Sequence, residues 1–319
     1  MRNARKVALL VLAGVFLLDA GGAHAQSRNV DATQDSWAYT RAELNAGIRR
    51  IGENVDLTTA AINNSASVSL NRSVGLDVSQ IARQGASAIS DISVVGVGES
   101  VSSTAAAIGN SLSVDLDGAV RAARRRRSDV EVNQVADGAT LADLNLYQLQ
   151  RVGGDVAGTS AALSNSASVS VNRIRRAELG IEQVARAPST AEMYARISRV
   201  GEDVSLTTAA IGNSASLDLE RVRRVGIDAE QTNTGARFAE LSSIVRKVED
   251  DVDVTAAAIG NSFSANSLPR LSQMDASLAQ GNTAYVGAVA DIRVGAIGDD
   301  VAATAAAIGN SLTIATDGF

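Results

Sequence analysis

No cysteine occurs anywhere in the 319 residues, and histidine occurs once, as His24. Both absences exclude chemistry. Downstream of His24 no serine–histidine or cysteine–histidine pair can be assembled for nucleophilic catalysis, and zinc or iron sites built on imidazole and thiolate are excluded likewise. No disulfide can form, and the acylated cysteine of a bacterial lipoprotein is missing. Aromatic residues make up 3% of the chain, which leaves little for a sugar-stacking groove. No apolar run reaches the ~20 residues that span a bilayer. The net charge of −6 gives no electrostatic case for nucleic-acid binding. No cofactor is expected.

The lone histidine sits in a segment of its own. Arg2, Arg5 and Lys6 precede the apolar stretch from Val7 to Leu18, and Ala23-His24-Ala25 follows. A basic start, a short apolar run and a small-x-small site read as a secretory signal peptide over residues 1–25. The mature chain is then expected to begin at Gln26, exported, and to form a single repeat domain over 26–319.

What fills that domain is one phrase written six times, Thr-x-Ala-Ala-Ile-Gly-Asn-Ser-x-Ser. Its asparagines are Asn64, Asn110, Asn165, Asn213, Asn261 and Asn310, separated by 46, 55, 48, 48 and 49 residues. Six positions earlier stand Thr58, Thr104, Thr159, Thr207, Thr255 and Thr304. Gln34, Gln80, Gln183, Gln231 and Gln280 lie 30 residues before an asparagine, and Gln134 lies 31 before. Such a period marks a repeat array whose units bury their apolar faces on one another. Length variation falls outside the glutamine-to-serine unit, above all between Ser113 and Gln134.

The fold follows from two alternating stretches. Leu76-x-Val78-x-Gln80 and Val130-x-Val132-x-Gln134 have the period of a strand with unlike faces. Around Asn110, one face is expected to carry Thr104, Ala106, Ile108, Asn110, Leu112, Val114 and Leu116. The other would carry Ala105, Ala107, Gly109, Ser111 and Ser113. The intervening stretch admits two readings. Leu44, Ile48, Ile51, Val55, Thr58 and Ile62 step by 4, 3, 4, 3 and 4, a helical stripe. Against a continuous helix stands the turn chemistry of Gly52-Glu53-Asn54, Gly201-Glu202-Asp203 and Gly298-Asp299-Asp300. The sequence thus predicts an all-β, solenoid-like stack of six repeats of about 48 residues, with room for short helices before the turns. An α-helical heptad array is the alternative.

Matching asparagines and glutamines in stacked units can hydrogen-bond along the stack; each asparagine can equally occupy a left-handed turn position after glycine. Both readings are structural. The acidic turns, such as Glu249-Asp250-Asp251, lack calcium-repeat spacing and read as solvated. Arg121, Arg124, Arg125, Arg126 and Arg127 form the only dense charge run, either a solvated loop or a contact for an anionic partner. Arg72, Arg173 and Arg221 recur eight residues after an asparagine and suit an edge-protecting line.

The exported start, the spaced glutamines and the Ala-Ile-Gly-Asn-Ser-x-Ser units resemble the alphaproteobacterial holdfast-anchor proteins. More distantly, Gln231-x-Asn233-x-Gly235 and Gly212-Asn213-Ser214-Ala215 resemble curlin repeats of bacterial amyloid fibres. The resemblance implies a non-enzymatic protein of the cell surface or outer membrane that anchors an adhesive polysaccharide or matrix to the envelope. Its partners would be polysaccharide and envelope-anchor or export-channel proteins, with self-association. A polymerising fibre subunit and, more remotely, an exported carbohydrate-active enzyme are the alternatives.

Overall fold

The computed structural model describes residues 7–13, 29–70, 75–118, 127–267, 271 and 273–316. Every helix or strand among them is a strand, and each of the six repeats supplies three. The first repeat contributes Asn29–Ser36, Thr40–Ile51 and Val55–Leu70, and the last contributes Gln273–Asn282, Val286–Ile297 and Val301–Thr316. Each strand pairs in parallel with its counterpart in the next repeat, so the chain completes one circuit per repeat. Three sheets result, termed here the glutamine, middle and asparagine sheets after the strands that compose them. Val7–Ala13 adds a seventh strand to the asparagine sheet, beside Val55–Ala61; the rest of residues 1–25 lies outside the described residues.

The helical alternative and the short helices do not occur among the described residues. The apparent heptad arises from two strands and one irregular residue. Ala42, Leu44, Ala46 and Ile48 turn inward at period two. Arg50 then takes a left-handed conformation, φ 57°, which reverses the alternation and brings Ile51 inward three residues after Ile48. The same step recurs at Gly96, Arg151, Arg199, Lys247 and Ala296. A non-glycine residue there costs about 1–2 kcal/mol, which the register of the flanking rungs must offset.

The expected faces around the asparagine need a second correction. Val101, Ser103, Ala105 and Ala107 point inward, followed by Asn110, Leu112, Val114 and Leu116. The alternation therefore reverses between Gly109 and Asn110, and the ladder skips Gly109 and Ser164. A Cβ on Gly109 would stand 2.5 Å from the Ser164 carbonyl oxygen, so only glycine fits this close approach. Because of the reversal, the strand serves two cores. Its first half packs on the middle strands, in a cluster with Leu144, Leu146, Leu149 and Ile197. Its second half packs on the glutamine strands, with Val130, Val132, Leu179 and Ile227.

One inward position breaks the pattern. Arg237 is fully buried in a row whose neighbours are Thr140, Ser189 and Val286. Its Nη1 donates to the carbonyls of Ala187 and Ala236, while Nε and Nη2 have no protein partner. Burial pulls its pKa down to about 10. Arg237→Met keeps the aliphatic stem and removes the buried charge, and is expected to stabilise the fold by about 1–3 kcal/mol. Thermal melts of the two proteins check this; a lower Tm for the variant would show that the guanidinium is compensated.

Candidate functional site

The repeated amides meet inside the rod. Each asparagine donates from Nδ2 to Oδ1 of the next, at 2.8 Å, in five steps from Asn64 to Asn310. The second Nδ2 hydrogen of Asn64, Asn110 and Asn165 goes to the carbonyls of Ile81, Val135 and Val184 on the glutamine strands. The glutamines run the other way. Gln280, Gln231, Gln183, Gln134 and Gln80 each donate to Oε1 of the preceding glutamine, at 2.7–2.8 Å. Each also donates to the carbonyl of the serine after an asparagine, as Gln134 does to Ser166 and Gln34 to Ser65. The two ladders thus stitch the glutamine and asparagine sheets together between the two apolar cores. These asparagines lie within strands, and none has a positive φ; the turn reading falls away.

Outside, the glutamine sheet carries a groove of about 940 Å³ that crosses several rungs. Asp31, Asp77, Asp129, Glu131, Glu178 and Asp228 line it. Arg127 stands at its rim, tied to Asp129 at 2.8 Å. Arg121, Arg124, Arg125 and Arg126 lie outside the described residues, as does Arg72. Arg173 pairs with Asp117 and Arg221 with Glu220, and both arginines adopt positive φ just beyond the end of an asparagine strand.

The turns before the asparagine strands stack into a column of acids. Asp203, Asp251 and Asp300 each donate their backbone N–H to the carboxylate one rung earlier, on Asp155, Asp203 and Asp251. A hydrogen bond with Asp155 and its charge push the Glu202 carboxyl up. Desolvation and the charges of Asp203 and Asp299 do the same to Asp250. On the middle sheet, desolvation raises Asp143 and Glu192. Among the described residues no group of His, Cys, Asp or Glu is arranged to hold a metal ion. The outer rows of the asparagine sheet, Thr and Ala in every repeat and Ile in five of the six with Leu163 in the other, escaped the sequence reading because the reversal at Asn110 was not visible in the pattern.

Residues 95–319 match the family described as HfaD, Holdfast attachment protein D. No curated protein and no solved structure matches the chain.

Truncating a mid-ladder amide leaves its neighbour's donor buried and unsatisfied. Asn165→Ala is expected to cost about 2–4 kcal/mol, and Asn310→Ala, at the exposed last rung, about 1 kcal/mol or less. Chemical unfolding of both variants checks the contrast, and equal losses would deny the ladder its role. The raised carboxyls set the pH dependence. They hold protons more tightly in the folded state, so their contribution is present at low pH and is lost as pH rises from the ordinary carboxylate range, about 4, through the raised values. The Tm at low salt is therefore expected to fall as pH rises above about 4, and about 0.5 M salt should recover the part that comes from like-charge repulsion.

Proposed function

Because this chain belongs to the Holdfast attachment protein D family, we propose that it is an exported, non-enzymatic rod linking an adhesive polysaccharide to the cell envelope. Membership gives it a role in holdfast attachment at the cell surface; the family match over residues 95–319 is the observation that carries the reading. The fold supports the finer mechanism. A rod that repeats its outer side chains every ~4.8 Å offers many equivalent contacts, and weak contacts in series hold a polymer that none would hold alone. Among the described residues no helix is long and apolar enough to cross a membrane; in this proposal envelope attachment runs through partner proteins. Removal of residues 1–25 would uncover the Val55–Leu70 strand at the end of the asparagine sheet. The Arg121–Arg127 segment is the contact for an anionic component of that assembly.

A second reading, a fibre subunit stacked end on end, is favoured by the polarity of the ladders. Among the described residues no further asparagine receives Asn310 Nδ2, and no preceding asparagine donates to Asn64 Oδ1. The glutamine ladder leaves the complementary gap, an acceptor on Gln280 and a donor on Gln34. Stacking two copies would continue both ladders at once. SDS-resistant, thioflavin-binding polymers of the mature chain would select this reading.

Deleting the gene is expected to lower the retention of adhesive polysaccharide on cells, with restoration by the intact gene. Retention equal to the parent strain would overturn the anchoring role. Replacing Arg121, Arg124, Arg125, Arg126 and Arg127 by glutamine should reduce retention several-fold; unchanged retention would remove the arginine contact from the mechanism while leaving the rod.

A further inference from the structure

One repeat in six carries an extra residue inside its unit. The glutamine–asparagine interval is 31 residues at Gln134 and 30 elsewhere, and the strands show where the surplus goes. The middle strand Thr140–Val152 has 13 residues where the other five have 12. Toward the second repeat, Leu146 and Gln148 pair with Ile92 and Ser93, so the ladder passes over Tyr147. Toward the fourth repeat, Tyr147 and Gln148 together face Arg196. Two residues against one is a β-bulge, which gives up ladder pairing and re-aims a side chain.

The re-aimed side chain is a tyrosine that serves no core. Tyr147 is 49% exposed and belongs to neither apolar cluster. Its ring lies 6.3 Å from that of Tyr194, one rung on, and is tilted against it by 48°. The chain has four tyrosines, and two of them meet here on the outer face of the middle sheet. Carboxylates surround the pair. Asp91, Asn145 and Tyr194 share one row, and Asp143, Glu192 and Glu240 share the row beside it. Donors, not cations, orient these groups. Asn145 donates to Asp91 at 3.0 Å and also bonds Asp143. Desolvation, the charge of Asp91 and a hydrogen bond with it raise the Tyr147 hydroxyl above its ordinary pKa. Among the described residues none of the four carboxylates forms an ion pair.

We propose that the Tyr147 bulge and the carboxylates around it bind an uncharged sugar residue of the adhesive polysaccharide, an assignment that rests on the polysaccharide-linking reading above. A pyranose ring has two unlike aspects. Its C–H face is apolar and packs on an aromatic ring, while the hydroxyls at its edge donate and accept hydrogen bonds. The patch complements both. Tyr147 and Tyr194 supply ring surface with a polar tip. The planar carboxylates of Asp91, Asp143 and Glu192 have acceptor lone pairs for hydroxyl donors, and Arg196, opposite the bulge, has donors for hydroxyl oxygens. A basic peptide is the competing class of ligand. It fits less well, because Asn145 and Tyr147 already bond two of the carboxylates and Arg196 adds a positive charge beside the site. A single shallow contact of this kind is weak, and many rods on one polymer multiply it.

The test is binding of the mature chain to immobilised adhesive polysaccharide, purified after it is shed by the cells, read by surface plasmon resonance. Tyr147→Ala is expected to bind about five- to tenfold more weakly than the parent, the loss of one aromatic contact. Tyr147→Trp keeps ring surface and should bind as the parent does. So should Tyr285→Ala, which removes a 66% exposed tyrosine elsewhere on the rod. If Tyr147→Ala melts lower than the parent, Glu192→Gln carries the same comparison at an exposed position of the patch. The ratio between parent and variant should persist in about 0.5 M salt, because the sugar is uncharged. Equal binding by parent and variant overturns the site and leaves the polysaccharide reading in place. A ratio that collapses to one in salt assigns the patch a cationic ligand and overturns the sugar. A parent that does not bind removes the site and that reading together.

Discussion

Parallel, in-register stacking is the constraint from which the rest of this molecule follows. Every side chain sits ~4.8 Å from its own counterpart in the next repeat, so each position is selected for compatibility with a copy of itself. Amides satisfy that demand best, because one group donates and accepts along the same line. Small aliphatics satisfy it by simple packing. Carboxylates satisfy it poorly and stack on the solvated surface, as on the outer faces of the strands and in the column at Asp155, Asp203 and Asp251, where each also accepts a backbone N–H from the next rung.

The amides do more than line up. Asn165 and Gln183 sit between two apolar cores and bridge the backbones of two sheets, so neither core can shift along the axis without breaking hydrogen bonds in the other. This is how a chain without disulfides fixes its register. Nearest-neighbour coupling of this sort makes stability approximately a sum over repeats and interfaces. Arg237 is a buried charged side chain that serves neither core nor ladder, and Gly212 is what leaves room for it.

Much of the architecture was legible in the sequence because it is periodic. The glutamine-to-asparagine spacing announced six units, and the alternation around Val78 and Val132 announced strands. The helix-like stripe from Leu44 to Ile62 misled in part. Its step from Ile48 to Ile51 comes from a left-handed Arg50, which nothing in the identity of arginine signals, and its step from Val55 to Thr58 joins an inward residue to an outward one. The same holds for the reversal at Gly109 and Asn110, which moved Ile108 from the core to the surface. Comparison of rows across repeats does not separate the faces either, since the inward Val55 and Ala61 rows are as constant as the outward Thr58 row. The acidic groove was beyond reach for another reason, since Asp31, Asp129 and Asp228 come from three separate repeats.

One circuit per repeat also makes the rod a mechanical element. A load applied along the rod axis pulls on a stack whose end circuit is secured by a single neighbour. With no cysteine to lock any circuit shut, such a stack yields by peeling, one repeat at a time. Each repeat freed would lengthen the chain by about 160 Å, at ~3.4 Å per extended residue. The connection would then stretch and dissipate work in steps, and on relaxation the detached repeat would find the ladder beneath it as a template for return.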